Sequence, residues 1–224
     1  MSREASHVRL GRGLDPSTSA GTPAVRILVT AFEPFGGDGR NPSAEVLAAI
    51  LGDPPIDGLV GEVLPVVYAE AGRRVEGLIA AHRPAAWLGL GLHAGATAVT
   101  LERRAANEDD AALADNAGDV RRGAAIEVGG PPFRPATLPW DAVAAELGRR
   151  GVAVRFSDSA GRFVCNHTFY RAAAAAERCP ETVKVGFVHL PWPSDWAGRA
   201  MPVAHGVRFA DLVAAVRVCL AVIG

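Results

Sequence analysis

The stretch Val25-Arg26-Ile27-Leu28-Val29-Thr30-Ala31-Phe32-Glu33-Pro34-Phe35-Gly36-Gly37-Asp38-Gly39-Arg40-Asn41-Pro42-Ser43 decides the fold class. Val25 to Thr30 is apolar and β-branched and reads as a strand. A Gly-rich loop from Phe32 to Asn41 follows, and Pro42 and Ser43 open a helix to about Leu51. Proline suits that position because the first helical N–H has no partner within the helix. Strand, loop and helix in this order form the unit of an α/β layer fold.

The alternation continues down the chain. Strands are expected at Leu59 to Pro65, Ala85 to Leu90, Val152 to Phe156 and Val183 to Leu190, and Thr97 to Ala106 alternates like a strand. Helices are expected at Glu70 to His82, Asp141 to Arg150, Phe163 to Arg178 and Phe209 to Val222. Between them, Asn107 to Pro139 is polar and rich in Gly and Pro, a long excursion of the kind that is more often functional than accidental. Residues 1–24 are polar and rich in Gly, Ser, Thr and Pro without an apolar signal core, and read as a disordered tail. Residues 25–224 read as one domain, with no internal repeat or dividing linker.

Composition narrows the function. The chain of 224 residues is 49% apolar, enough for a large core, and its formal net charge of −1 argues against nucleic acid or an anionic membrane as the main partner. Lys184 is the only lysine, so the Arg and Ala excess reads as codon bias. No apolar stretch is long enough to span a bilayer. Three cysteines, Cys165, Cys179 and Cys219, cannot all pair within the chain, which points to a reducing compartment and a cytoplasmic location. Cys219 lies in an apolar helix and Cys179 near a helix end, where a lone cysteine is a small buried apolar residue.

Several motif readings fail. Gly89-Leu90-Gly91-Leu92-His93-Ala94 resembles a dinucleotide fingerprint, but β-prone residues follow it, so no helix N-terminus is available for a pyrophosphate; a tight turn passing close to other atoms is expected instead. The single lysine excludes a Walker phosphate loop, and no HExxH or GxSxG occurs. The six histidines show no metal-ligand spacing.

One constellation carries chemistry. Cys165, in Ala160-Gly161-Arg162-Phe163-Val164-Cys165-Asn166-His167, stands where a turn gives way to a helix, and His189 ends the apolar run Val183 to Pro191. A helix start and a nearby imidazole lower a thiol pKa from about 8.5 to roughly 3.5–7.5, and unbonded first-turn amides can hold an oxyanion. His189 is the preferred base. His167 is its rival by proximity, although residues two apart on a helix do not face each other. An orienting carboxylate is then needed. Glu102, Asp109, Asp110, Asp115 and Asp158 are candidates, and Glu102 stands out at the end of the alternating run Val99-Thr100-Leu101-Glu102.

The segments Val29 to Gly37 with Asn41-Pro42-Ser43, Leu101-Glu102-Arg103 with Ala105 and Asn107, Asp115-Asn116 with Gly118, Ser159 to Tyr170 and Gly186 to Pro191 together resemble the pyroglutamyl peptidase I family of cysteine peptidases, in the family's order. The resemblance implies a single α/β domain with a twisted, mostly parallel sheet between helices. It implies a triad of Cys165, His189 and Glu102 that removes N-terminal 5-oxoproline from peptides without a metal or organic cofactor. A lactam pocket would involve Phe32, Phe35, Asn41, Phe163 and Val164; a flat, neutral, five-membered lactam suits aromatic walls. Many members are cytoplasmic homotetramers, so a homo-oligomer is implied.

The chain departs from the family pattern at Ala112, where many members carry arginine, and at Leu92, where many carry glutamine. The missing arginine bears on rate and oxyanion binding. The two departures motivate a second reading, a non-catalytic binder of small lactams or peptides on the same scaffold; a third is a cysteine amidohydrolase acting on another cyclic amide.

Overall fold

The computed structural model describes residues 26–52, 54–196 and 206–224, so the expected tail at 1–24 lies outside the described residues. In chain order the elements are β1 (Ile27–Phe32), α1 (Pro42–Leu51), β2 (Leu59–Leu64), α2 (Tyr68–His82), β3 (Ala86–Leu92), β4 (Val99–Glu102), β5 (Arg104–Ala106), β6 (Phe133–Pro135), α3 (Trp140–Arg149), β7 (Val154–Ser157), α4 (Val164–Arg178), β8 (Lys184–Leu190) and α5 (Phe209–Ile223). Six strands form the main sheet in the order β2-β1-β3-β8-β4-β7, and β5 and β6 make a separate two-stranded ribbon. β2, β1, β3 and β8 run parallel, while β4 pairs antiparallel with β8 and parallel with β7. The expected α/β class, with a mostly parallel sheet between helices, is what the structure shows.

The central strands are apolar on both faces because both are covered. On one face Val29, Leu88, Val188 and Leu101 join residues of α1, α3 and α5, including Leu47, Leu147 and Val216, in one core. On the other, Leu28, Trp87 and Phe187 pack with residues of α2 and α4, including Val75, Phe169 and Ala173. Fully burying a Leu- or Phe-sized side chain contributes about 1.5–3 kcal/mol, so these two layers supply most of the fold's drive.

Two expectations are corrected. Thr97 to Ala106 is not one strand: β4 joins the main sheet, then the chain leaves it at Arg103, and β5 pairs with β6. Arg103 still donates its N–H to the Ser157 carbonyl, while its guanidinium lies over the Phe156 ring, so the switch occurs at a residue whose side chain is on the outside. Nor do Gly89 and Gly91 make a turn. They lie within β3, and the expected close approach is that of side chains. A β-carbon on Gly89 would run into the Phe187 ring, and one on Gly91 would come within 2.9 Å of the Cys165 sulfur.

These glycines keep the sheet thin where α4 crosses it. We therefore expect Gly89→Ala to overpack the Phe187–Trp87 contact at a cost of about 1–3 kcal/mol. Thermal unfolding should show a melting temperature lowered by roughly 5 °C for a chain of this length; an unchanged melting temperature would refute the packing argument.

Candidate functional site

Sheet register builds the site. Gly91 of β3 pairs with His189 of β8, which pairs with Thr100 of β4, which pairs with Arg155 of β7. One row deeper run Gly89, Phe187, Glu102 and Ser157. Alternate residues of a strand share a face, so His189 and Glu102 both project toward α4, as diagonal neighbours across an antiparallel pair. The Glu102 Oε1 lies 2.8 Å from the His189 Nδ1, and both side chains are buried. Glu102 was expected at a strand end near the site. Because β4 runs antiparallel, its last residue lies below His189, where it can hold the ring from behind.

Cys165 is the second residue of α4, and its sulfur lies over Gly91, beside His189. The helix starts at Phe163 with no side-chain cap, after Gly161 at φ 79°, a left-handed conformation that glycine adopts without strain. The sulfur is therefore next to uncapped first-turn amides. Burial pushes the His189 imidazolium toward losing its proton. Hydrogen bonds and charge from Cys165 and Glu102 outweigh this and raise its pKa to about 9.

Phe32, Phe35, Asn41, Phe163, Val164 and Cys165 line one small, mostly apolar pocket together with Val66 and Leu92. Phe35 and Phe163 pack at 5.8 Å, and Tyr68 meets Phe163 edge-on at 5.5 Å. Phe32 is the last residue of β1 rather than a loop residue and is also part of the core, against Phe187. Asn41 combines both roles weighed for it. Its Oδ1 accepts from the Ser43 N–H as the cap of α1, its Nδ2 donates to the Glu33 carbonyl, and its side chain lines the pocket.

His167 is placed elsewhere. Its Nδ1 is 2.8 Å from Asp109 Oδ2, and its Nε2 lies against Gly72 of α2. Asp109, wholly buried, also accepts from Arg121. This rival imidazole thus pins the long excursion to α4. Asp115 accepts from the Tyr68 N–H, Asp110 bonds through its backbone N–H to the Arg162 carbonyl, and the Asp158 carbonyl accepts from Arg104; of the acidic candidates, Glu102 is the one against His189. Ala112 is exposed on the excursion, whereas Leu92 is in the pocket wall. Among the described residues no group of three or more His, Cys, Asp or Glu side chains could hold a metal ion.

A model of the pyroglutamyl peptidase family matches residues 25–224. The chain belongs to the pyroglutamyl peptidase family. It is 38% identical over 175 residues to a pyrrolidone-carboxylate peptidase of Cupriavidus necator, covering 77% of this chain and 81% of that protein. It is 36% identical over 196 residues to one from Gloeobacter violaceus, covering 84% and 95%. Among solved structures, the pyrrolidone carboxyl peptidase of Thermus thermophilus superposes with a TM-score of 0.77 at 38% identity, covering 88% of this chain and 99% of that one. The pyroglutamyl peptidase I of Bacillus amyloliquefaciens gives 0.81 at 28% identity, covering 88% and 94%.

In this pyroglutamyl peptidase family member, sequence reasoning missed the residues that hold the excursion and pocket loop in place. Asn166 is buried; its Oδ1 accepts from the Ala106 N–H, and its Nδ2 donates to the Ala106 and Glu108 carbonyls. Asn116 donates to the Glu33 carboxylate and the Pro34 carbonyl, and Glu33 accepts from the Val66 N–H. Both asparagines stood in the matching segments, but the partners of a side chain that bonds distant backbone are not written in spacing.

The raised His189 pKa has a definite sign. The imidazole takes up its proton more readily in the folded state than at its ordinary value of 6.5, so its contribution to stability is fully present below about pH 6.5 and is lost as pH rises through about 9. An NMR titration of the His189 ring should show it protonated at neutral pH and releasing its proton near pH 9. In Glu102→Gln the transition should move to lower pH. A ring already neutral at pH 7 in the unmodified protein would contradict the assigned pairing.

Proposed function

We propose that this chain is a cysteine omega-peptidase that removes N-terminal 5-oxoproline residues from peptides, with Cys165 as nucleophile, His189 as acid and base, and Glu102 as the group that orients His189. One observation carries the reading: a sulfur at an uncapped helix start, beside a buried imidazole bonded to a buried carboxylate, opens on an apolar pocket of aromatic walls. The family match and the names of the relatives support the same substrate.

The chemistry follows from the arrangement. The thiolate is the attacking species, and the imidazole beside the sulfur is placed to take the thiol proton. The lactam ring enters the pocket defined by Phe32, Phe35, Asn41, Phe163 and Val164, which binds it without a charged partner because the ring is neutral. Thiolate attack on the acyl carbon gives a tetrahedral oxyanion, held by backbone N–H groups at the start of α4. His189 protonates the departing amine, and the C–N bond breaks to leave a thioester. His189 then takes a proton from water as it attacks the thioester, releasing 5-oxoproline and restoring the thiolate–imidazolium pair. Glu102 keeps the ring in the tautomer and orientation both steps require. The reaction as written uses no metal or organic cofactor.

A cytoplasmic location and a homo-oligomeric, tetrameric state belong to the same proposal. They rest on the odd number of cysteines and on family resemblance. Among the described residues no helix is long and apolar enough to cross a membrane.

Hydrolysis of a pyroglutamyl–chromophore amide under reducing conditions tests the reading. Cys165→Ser should lower turnover by at least about a thousandfold, since a hydroxyl gives up its proton far less readily than a thiol and is the weaker nucleophile. Cys179→Ser, altered on the far side of α4's C-terminus, should retain turnover. Absence of turnover by the folded, unmodified protein sinks the proposal. Ligand binding without an acyl-enzyme burst would favour a non-catalytic lactam binder. Turnover of a different cyclic amide, not inhibited by free 5-oxoproline, would favour the other amidohydrolase.

A further inference from the structure

The register row that carries His189 continues outward to Thr100 and Arg155, and the proposed mechanism does not use this outer half. Arg155 is exposed on β7, the edge strand, and reaches back along the row. Its Nε donates to the Thr100 Oγ1 at 2.9 Å, and a terminal nitrogen lies 3.4 Å from the His93 Nδ1. The His93 ring, at the exit of β3, meets His189 edge-to-face at 5.9 Å. Burial, His189 and Arg155 hold the His93 pKa below its ordinary range, so this imidazole is neutral and can accept from the guanidinium at neutral pH. The outer end of the row thus presents one permanent positive charge next to the reacting groups.

That charge has no carboxylate within ion-pair distance among the described residues. Glu102 lies a row deeper, bonded to His189, and Asp158 follows the opposite end of β7. An exposed guanidinium fixed by a threonine and a histidine, with N–H donors left over, is arranged to receive a planar anion.

Direction along the sheet says which part of a substrate would meet it. The Cys165 sulfur lies over β3, and β1, which carries Phe32 of the pocket, is on one side of that strand. β8, β4 and β7 follow in turn on the other. With the lactam in the pocket and its carbonyl at the sulfur, the leaving nitrogen faces His189. The residue beyond it then passes over Thr100 toward Arg155 and His93.

We propose that Arg155, held by Thr100 and His93, recognises a carboxylate on the residue after the scissile bond, so that this peptidase favours pyroglutamyl peptides with Asp or Glu at that position, or pyroglutamyl dipeptides whose free C-terminal carboxylate falls there. The inference rests on the proposed peptidase function and adds substrate preference to it.

The test compares kcat/KM for pyroglutamyl-Glu-amide, pyroglutamyl-Ala with a free carboxylate, pyroglutamyl-Ala-amide as neutral reference, and pyroglutamyl-Lys-amide. At low salt one or both acidic substrates should exceed the neutral reference by about three- to tenfold, as expected for a partly exposed charge-assisted contact, and added salt should shrink the ratio. The lysine peptide should fall below the reference. Whichever acidic substrate leads identifies the carboxylate recognised. In Arg155→Gln the acid-to-neutral ratio should fall to about one, and Arg155→Lys should restore part of it. Cleavage of all four peptides at equal efficiency, or an acid preference unchanged in Arg155→Gln, overturns this inference while leaving the peptidase reading intact. Cleavage of none of them overturns both.

Discussion

The structure depends on how closely α4 can approach the sheet. Its first turn carries Cys165, and the sulfur can sit beside His189 because β3 has no side chain at position 91. Phe187 fills the space over Gly89, and Cys165 the space over Gly91. A β-carbon at position 91 would press on the sulfur and push the start of α4 away from the sheet. Positioning the Cys165 sulfur is thus a matter of packing before it is one of charge, and the protein interior, dense and poorly compressible, transmits such displacements directly.

Reversal of β4 is the second organising feature. In a fully parallel sheet, strand ends gather at one rim and offer ligands a crevice there. Here β4 runs against β8, so its terminal Glu102 lies beneath the rim, buried and directed at the His189 ring. Burial strengthens that contact by removing competing water, and the Cys165 and Glu102 interactions keep the imidazole protonated despite its desolvation. Meanwhile the His167–Asp109–Arg121 cluster and the Asn166 clamp tie the long excursion to α4. The chain around Cys165 is therefore held from both the sheet side and the loop side.

Much of this was legible in residue order. The alternation of apolar runs and helical periods gave the α/β class, and most expected elements lie within two or three residues of those observed. Cys165 and His189 stood out through local chemistry, a thiol at a helix start and an imidazole at the end of an apolar run. Thr97 to Ala106 was misread because alternation reports a strand but not which sheet it joins. The Gly89–Gly91 pair was misread as a turn because sequence shows a missing side chain, not what fills the gap. Glu102 could not be separated from its acidic rivals by spacing alone, since the choice depends on which strand lies beside β8.

The amino-acid sequence by itself determined the strand and helix periods, the place of Cys165 at a helix start and the aromatic character of the pocket residues, because these follow from local conformation and side-chain chemistry. Tertiary structure alone decided that β4 is reversed, that Glu102 rather than Asp109 supports His189, that His167 anchors a loop, and that Arg155 ends the same row. Those outcomes are set by strand order and register, which bring together side chains far apart in the chain and leave no mark in the spacing of either.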